Sequence, residues 1–422
     1  MKTRQMITSL QRFAQNLVAP APSENTSAQR PSVTGTQAFV TLGLWLAVLV
    51  GLVGARIAFV NYQSGDYNSF LSPWFDTIEA ASWRHSLAHS QANYFPPYLY
   101  LMVLVSRFPI QKVVALKLIC WLGDVGLACA VFSVSRAIGQ TLRAALLVTA
   151  VVLAVPPVLF DSAMWCQTDA IYCAFLVLAL AAGVRGQGWA LCALFASALA
   201  FKMQALFFAP VLALLLYEGR VRMLHFAAIP LVHFAWMLPS VALGATLGEV
   251  YGMFATQANF YHQLQLNAPS LYQLIPQISY EAQSGAGIFA ALAIIAMALV
   301  HAVGLWPQRA SAAVWLTWSS FFVMLVPFVL PKMHDRYFFV ANVFSIVCAC
   351  AVRRPFAAAA ALLCNLGSLI AYEPFLFHNQ AVPLPVGALA MLIALAQTWW
   401  LARSLTLETI ALPPTQIVAA NL

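Results

Sequence analysis

The chain has 422 residues, of which 62% are hydrophobic and only 8% are charged, and its formal net charge is +8 at pH 7. Water-soluble domains carry roughly 25% charged residues, so this composition excludes a water-soluble globular protein. The eight cysteines form no CxxC pair, and no basic run alternates with aromatic residues, which argues against a zinc framework and against nucleic-acid binding.

Apolar runs long enough to cross a membrane recur along the whole sequence. They occupy residues 38–60, 113–135, 223–243, 284–306, 311–330, 356–372 and 383–402. A helix of about 20 residues crosses a hydrocarbon core of roughly 30 Å. Because a helix satisfies all its backbone groups within its own segment, the pattern predicts an all-α, polytopic transmembrane bundle of about 10–13 spans.

The distribution of Lys and Arg predicts the orientation in the membrane. Residues 1–36 are polar and positively charged, so we expect a flexible cytoplasmic tail there. Basic residues between later spans mark inner loops, and a second cytoplasmic tail is expected at 403–422. The loops 61–93, 244–283 and 331–337 then lie on the extracytoplasmic face. This pattern predicts a multi-pass protein of the cell (inner or plasma) membrane with both termini in the cytoplasm.

The stretch 94–217 admits two threadings. One has five spans, at about 94–106, 113–135, 144–160, 170–184 and 189–216. It leaves the loop 161–169 on the inner side. The other makes 94–112 re-entrant and breaks the last span near Lys202, which places Lys202 and the loop 161–169 outside. The positive-inside rule favours this second threading.

Several ionisable residues lie near the first predicted membrane boundaries. Asp66, in QSGDYNSFLSPWFD, follows the first span among aromatic residues, and a plain interfacial loop aspartate is the alternative interpretation. Lys117 and Asp124 are seven residues apart, two turns along one helical face, which predicts a structural charge pair. His85 and His89 have spacing that suits a metal on a helix, but without an HExxH pattern two interfacial histidines are the simpler interpretation.

Two later segments place polar residues inside apolar surroundings, where an ionisable group indicates function by default. In WCQTDAIY, Trp165 and Gln167 suit ring and hydroxyl recognition, while Asp169 also suits a helix N-terminus. In FKMQALFFAP, Lys202 and Gln204 lie within a hydrophobic stretch. The ammonium needs an anion, either a lipid-linked phosphate or a carboxylate such as Asp124 or Asp169.

The segment PKMHDRYFFV at 331–340 concentrates charge between two long apolar runs. It contains Lys332, His334, Asp335 and Arg336, and its predicted position is external. The positive-inside rule does not place Lys and Arg there without a reason. We therefore interpret His334 and Arg336 as parts of a site, Asp335 as a residue that orients or offsets Arg336, and Lys332 as a loop residue.

Six segments together resemble a known family. In chain order they are GDYNSFLSPWFD, NYFPPYLYL, WCQTDAIY, FKMQALFFAP, the NFY at 259–261 and MHDRYFF. The ordered set resembles the bacterial multi-pass mannosyltransferase-like proteins related to the GPI-anchor mannosyltransferases, within the GT-C glycosyltransferase superfamily. The likeness covers most of residues 38–345.

The resemblance implies a GT-C-like catalytic module at 37–283 and additional transmembrane helices at 284–402. It implies inverting transfer of a hexose, most simply mannose, from a polyprenyl-phosphate-sugar donor to a glycan, lipid or protein acceptor among membrane lipids. No cofactor and no metal ion are implied. The superfamily's seven-span module fits the five-span threading of 94–217, against the positive-inside rule. A transporter or flippase of lipid-linked glycans is the alternative function.

The resemblance also implies roles for individual residues. In such enzymes an acidic residue of the first external loop is the general base, and Asp66 takes this place. Asp76 is held in reserve, because the loop has no adjacent acidic pair. His334, Arg336 and Lys202 are expected to stabilise the departing phosphate. Substrate contacts are expected from Tyr67, Asn93, Tyr94, Gln167, Asp169, Gln204, Asn259 and Tyr261.

Overall fold

The computed structural model describes residues 35–89, 92–276 and 279–411. The side chains of 35–39 and 258–259 lie outside this description. Almost all of the predicted N-terminal tail also lies outside the described residues, as does the end of the predicted C-terminal tail. The last helix runs to Ala411, so the predicted tail at 403–422 begins within a helix.

The described chain is built of α-helices. In chain order they are α1 Gly35–Ala58, α2 Ser72–Ala80, α3 Trp83–Ala88, α4 Pro96–Val105, α5 Lys112–Ala137, α6 Leu142–Ala154, α7 Pro156–Phe160, α8 Asp169–Val184, α9 Gly188–Phe201, α10 Ala209–Tyr217, α11 Ala228–Ala242, α12 Leu247–Asn259, α13 Tyr280–Gly304, α14 Ala312–Val329, α15 Phe339–Val352, α16 Pro355–Leu376 and α17 Leu384–Ala411. Turns of π-helix occupy Tyr67–Leu71 and Asp161–Trp165, and 3-10 turns occupy Met203–Phe208, Met223–Ala227, Leu271–Gln273 and Asp335–Phe338.

Two short strands join two distant loops. Strand β1, Gln265–Leu266, pairs in parallel with β2, Met333–His334. A further bridge connects Asn267 to His334. The long loop between α12 and α13 is thereby fixed against the charged segment before α15.

Within the described residues, eight helical segments are long and apolar enough to cross a membrane. They are Val40–Ala58, Lys112–Ala137, Met223–Ala242, Tyr280–Gly304, Ala312–Val329, Asp335–Val352, Pro355–Leu376 and Leu384–Ala411. Helix α6 and the segment Pro156–Trp165 pass the same test together but are bent by 60° at their junction, as in a broken span or a re-entrant loop. Shorter apolar helices, including α8 and α9, complete the bundle. The predicted fold class is confirmed: the chain is an all-α, multi-pass helical membrane protein.

The contacts of 94–112 decide how 94–217 is threaded. Arg107 Nη2 donates to the carbonyl of Ile78 at 3.1 Å, and Lys112 pairs with Asp76, so the segment ends beside the loop that follows α1. Helix α4 has 10 residues, about 15 Å at 1.5 Å per residue, which is too short to cross the hydrocarbon core. The contacts and the length of α4 therefore agree with the second threading, in which this segment does not cross the membrane as a span.

The break at Lys202 belongs to the same threading. Helix α9 ends there because Lys202 is extended, with φ −147° and ψ 136°. Gln167, in the loop before α8, hydrogen-bonds to Asp66 at 2.9 Å. Since Lys202 also bonds to Gln167, the loop 161–169, Lys202 and the loop after α1 all lie at the same end of the bundle.

Packing distinguishes a protein core from surfaces that suit lipid. Helix α14 is buried along almost its whole length, with Trp315 and Trp318 at its centre. Helices α1 and α13 instead expose large apolar side chains such as Val50 and Phe289. This is the arrangement expected where apolar side chains meet hydrocarbon rather than water.

Candidate active site

Asp66 lies at the centre of a group of hydrogen-bond donors drawn from distant segments. Its Oδ2 accepts from Trp165 Nε1 at 2.9 Å, from Gln167 Nε2 at 2.9 Å and from Arg336 Nη1 at 2.8 Å. Asp66 is 8% exposed. Its charge is therefore compensated by three donors in a nearly buried setting.

The backbone before Asp66 approaches the aromatic wall of the site closely. A Cβ on Gly65 would lie 3.1 Å from the ring of Phe375, and Phe375 stacks on Trp165 with ring centroids 4.6 Å apart. The ring centroid of Trp165 also lies 5.4 Å from the guanidinium carbon of Arg336, within cation–π range. The absence of a side chain at Gly65 thus lets Asp66 reach the indole that orients it.

A second ion pair lies beside the first. Lys202 Nζ donates to Asp169 Oδ1 at 2.7 Å and to Gln167 Oε1 at 3.3 Å. The hydroxyl of Tyr94 donates to Gln167 Oε1 at 2.8 Å. Arg336 Nε lies 3.9 Å from Asp169 Oδ2, so Asp169 lies between the two cations. Of the anions considered for Lys202, Asp169 is its partner in this structure.

The charged segment before α15 contributes through both backbone and side chains. Asp335 Oδ1 bonds to His334 Nδ1 and accepts from the backbone N–H of Arg336 at 2.9 Å. Asp335 therefore fixes the local backbone and the histidine ring, while the guanidinium of Arg336 reaches Asp66. Lys332 has φ 67° and its N–H donates to the carbonyl of Leu264 at 2.6 Å, which fits its interpretation as a loop residue.

These groups surround one polar cavity. It is lined by Asp66, Phe70, Leu71, Trp74, Asn93, Tyr94, Gln167, Lys202, Met203, Gln204, Gln257, Phe260, Tyr261, His334, Arg336 and Tyr337. Burial raises the pKa of Tyr261, so its phenol stays protonated as a hydrogen-bond donor. One carboxylate, two cations and several amide and phenol groups thus converge on the same space.

An apolar groove of 700 Å³ adjoins the polar cavity. It runs between α10, α13 and the end of α14, and its lining includes Leu206, Phe207, Ile288, Leu292 and Leu330. The groove shares Gln204, Tyr261 and Tyr337 with the polar cavity. An amphiphile with an anionic head and a long apolar tail fits the two spaces together.

Most of the predicted substrate-contacting residues meet at the cavity, but not all. Asn93, Tyr94, Gln167, Gln204 and Tyr261 line it. Tyr67 is instead buried in a hydrophobic cluster with neighbours such as Leu71 and Phe75. Asp169 lies behind the lining, bonded to Lys202. Asn259 ends α12, and its side chain lies outside the described part of the structure.

The predicted pairing of Lys117 with Asp124 is corrected. Asp124 Oδ2 accepts from Arg56 Nε at 2.7 Å and from Ser162 Oγ at 2.6 Å. Lys117 Nζ donates to backbone carbonyls, among them that of Phe59 at 3.1 Å. The free carbonyls beside the π-helical turn at 161–165 offer the ammonium nearer partners than a carboxylate two turns away.

Sequence reasoning did not assign site roles to some important residues. Trp165 was noted for ring recognition, yet it lies behind the cavity and orients Asp66. Gln257 lines the cavity and donates to the carbonyl of Asn93 at 2.8 Å. Its place four residues before Tyr261, in the amide- and tyrosine-rich loop 244–283, was the available signal. Arg56 lies in the last turn of α1, and no role was predicted for it from the sequence.

The two histidines with helical spacing lie apart from this site. The rings of His85 and His89 are 5.5 Å apart, and His89 Nδ1 lies 3.5 Å from Glu249. In the described ranges, no group of three or more His, Cys, Asp or Glu side chains is arranged to hold a metal ion.

The fold resembles that of a solved membrane protein. The crystal structure of ArnT from Cupriavidus metallidurans bound to undecaprenyl phosphate superposes with a TM-score of 0.53 and 12% sequence identity. The match covers 86% of this chain and 78% of that one. It confirms the expected GT-C-like fold. No protein-family model and no curated protein sequence matches the chain.

Proposed function

We propose that the protein is an integral membrane glycosyltransferase. It transfers a hexose, most simply mannose, from a polyprenyl-phosphate-sugar donor to an acceptor on the extracytoplasmic face, with inversion at the anomeric carbon. Asp66 is the general base. The observation that carries the proposal is the convergence of Asp66, Arg336 and Lys202 beside a groove fit for a lipid tail.

The chemistry needs one base and a cationic site for the leaving group. The acceptor oxygen forms a bond to the anomeric carbon as the bond from that carbon to the phosphate oxygen breaks. Asp66 takes the hydroxyl proton, and the departing electron pair stays on the polyprenyl phosphate. Since polyprenyl phosphate, a phosphate monoester, is a good leaving group, no general acid is required.

Arg336, Lys202 and His334 are proposed to stabilise the phosphate. Arg336 can grip two phosphate oxygens at once, and the nearly buried setting strengthens each contact. In the structure both Arg336 and Lys202 bond to carboxylates. Donor binding would therefore exchange at least one of these contacts for a phosphate oxygen.

The apolar groove is proposed to hold the polyprenyl chain. It leads from the polar cavity to the outside of the helix bundle near α13, whose apolar side chains are exposed. A lipid could enter sideways without crossing water. The structural likeness to ArnT, whose structure was solved with undecaprenyl phosphate, supports a polyprenyl-linked partner. Mannose rests on the resemblance of the six sequence segments.

A charge-neutral substitution at the base tests this function. Asp66→Asn should reduce hexose transfer roughly 10²- to 10⁴-fold, the usual contribution of a positioned base, while polyprenyl phosphate still binds. Asp76→Asn is the matched comparison, because Asp76 lies at the surface in a pair with Lys112; we expect near-parental transfer from it. Unchanged transfer by Asp66→Asn would refute the base assignment.

The competing transporter or flippase function predicts different behaviour. Parent protein in vesicles would then move lipid-linked sugar between leaflets with no transfer to any acceptor. A measurement of leaflet exchange and of sugar transfer on the same vesicles separates the two functions.

A further inference from the structure

A second large cavity opens beside the site, lined by a largely different set of residues from the apolar groove. Its volume is 840 Å³, within the range of roughly 300–1,000 Å³ for small-molecule sites. It shares Asp66, Phe70, Tyr261 and His334 with the polar cavity. With the apolar groove it has only Tyr261 in common among the residues described. Asp66 therefore lies where this cavity meets the space proposed for the donor phosphate.

The walls of this second cavity combine amides, hydroxyls and rings. Side chains with amides or hydroxyls are Ser69, Gln263, Gln265, Asn267 and Ser279, and aromatic rings come from Phe70, Tyr261, Tyr280 and Phe375. Its carboxylates, Asp66 and Asp335, lie at the inner end. Its described lining contains two histidines, His262 and His334, and no Lys or Arg. The nearby Lys332 lines the apolar groove instead, with its ammonium 5.4 Å from the Tyr280 ring.

The pairing of β1 with β2 holds this wall of the second cavity in place. Gln273 Nε2 donates to Gln265 Oε1 at 2.6 Å, and Asn267, with φ 57°, bridges to His334. The wall is thus anchored to the charged segment that carries Arg336. Gln263, by contrast, is exposed at the edge of the cavity.

We propose that the second cavity binds the acceptor, and that the bound end of the acceptor is a neutral, polyhydroxylated saccharide. This inference rests on the proposed function. Amide and hydroxyl groups bond to sugar hydroxyls, and aromatic rings pack on the apolar faces of sugars. A phosphate or carboxylate on the acceptor would meet Asp66 and Asp335 in a lining without Lys or Arg, where His334 is already bonded to Asp335, which disfavours anionic acceptors.

The placement also satisfies the geometry of inversion. An acceptor hydroxyl must approach the anomeric carbon from the side opposite to the departing phosphate. The donor tail is assigned to the apolar groove and the acceptor to the second cavity. Donor and acceptor would then approach Asp66 from different sides. The hydroxyl proton then passes to Asp66 as the new bond forms.

Binding of defined saccharides tests the acceptor class. The probes are neutral mannotriose, mannotriose carrying one phosphate, and neutral mannotriose attached to a lipid, titrated into nanodisc-embedded protein saturated with polyprenyl phosphate. We expect the neutral trisaccharide to bind at least about tenfold more tightly than the phosphorylated one. Binding of only the lipid-attached form would support the same class from a glycolipid headgroup. Equal or tighter binding of the phosphorylated form would overturn the proposal.

A charge placed on the cavity wall provides a second test. Gln263→Arg should improve relative binding of the phosphorylated probe by roughly tenfold, because it supplies the missing cation. Gln380→Arg is the matched control, an exposed glutamine at the same end of the protein that lies outside the lining of the cavity. An unchanged preference in Gln263→Arg would place the saccharide elsewhere.

Failure of this inference is distinguishable from failure of the proposed function. If neutral mannotriose binds with the expected charge preference but no donor transfers a hexose, the cavity assignment stands and the glycosyltransferase function falls. If hexose transfer from a polyprenyl-phosphate donor occurs and neutral saccharides neither bind nor accept, the acceptor assignment falls alone.

Discussion

Arg336 Nη1 lies 2.8 Å from Asp66 Oδ2, so the residue expected to bind a phosphate is paired with the residue expected to act as base. The two belong to loops 270 positions apart in the chain. The guanidinium occupies an oxygen of the carboxylate that is proposed to accept the acceptor proton. A phosphate that draws Arg336 away would free that oxygen, which would couple donor binding to proton transfer from the acceptor.

Substitution of Arg336 tests this exchange. Arg336→Gln should weaken binding of polyprenyl phosphate by roughly 10- to 100-fold, since a hydrogen bond to a charged group contributes about 1.5–3 kcal/mol. Arg336→Lys keeps the charge but cannot make bidentate hydrogen bonds to the phosphate, so a smaller loss of affinity is expected. Affinity is measured by titration of the nanodisc-embedded protein with polyprenyl phosphate. Parental affinity in Arg336→Gln would exclude the proposed phosphate contact.

The pair between Asp169 and Lys202 is the subject of a second prediction. Both side chains are nearly buried, at 2% and 7% exposure, so Asp169→Asn leaves an ammonium without its carboxylate. Loss of one partner of a buried pair costs about 3–5 kcal/mol, and a lower melting temperature in detergent is expected. The double variant Asp169→Asn with Lys202→Met should regain much of that stability without regaining transfer. A single variant as stable as the parent would contradict the argument.

A third prediction concerns the pair between Arg56 and Asp124, which the sequence did not reveal. It joins α1 to α5 away from the polar cavity. Asp124→Asn should lower the melting temperature because Arg56 loses its charged partner. Polyprenyl phosphate affinity should stay close to parental. A matched decrease in affinity would show that this pair also shapes the site.

The sequence predicted the helical bundle well because apolar runs such as 311–330 are a direct consequence of the thickness of a lipid bilayer. It also identified the residues that meet at the cavity, since a polar residue such as Lys202 in an apolar run is costly without a purpose. Their roles at the site stay predictions. No comparable feature of the sequence predicted that the last helix extends to Ala411.

Partners across the fold were harder to predict. Helical spacing suggested that Lys117 pairs with Asp124, but the nearest partner of each comes from another segment. The π-helical turn at 161–165 exposes backbone carbonyls, and the spacing of residues in the sequence does not predict such a turn. The threading of 94–217 stayed open in the sequence, because the superfamily module and the positive-inside rule favoured different alternatives; the length of α4 in the structure agrees with the re-entrant one.

The last prediction concerns helix α12 and pH. Thr246 and Glu249 form a capping box at its start: the Thr246 backbone N–H donates to Glu249 Oε2 at 2.6 Å, and the Glu249 N–H donates to Thr246 Oγ1 at 3.2 Å. The Thr246 backbone N–H, together with the Thr246 hydroxyl that donates to Glu249 Oε2 at 2.9 Å, holds the pKa of Glu249 below its usual value of 4.5. A carboxyl with a lowered folded-state pKa stabilises above the unfolded value, and that contribution is lost as the pH falls through the folded value.

Hydrogen exchange of the first turn of α12 measures the effect, after correction for the intrinsic pH dependence of exchange. Protection should be constant above about pH 5.5, roughly one unit above the usual carboxyl pKa, and should fall as the solution becomes more acidic than pH 4.5. Glu249→Gln should remove most of this pH dependence, because its amide does not titrate in this range. Thr246→Ala should lower protection at all pH values, since the cap is lost. A pH dependence that survives Glu249→Gln would assign the titration to another group, of which His89, 3.5 Å away, is the nearest.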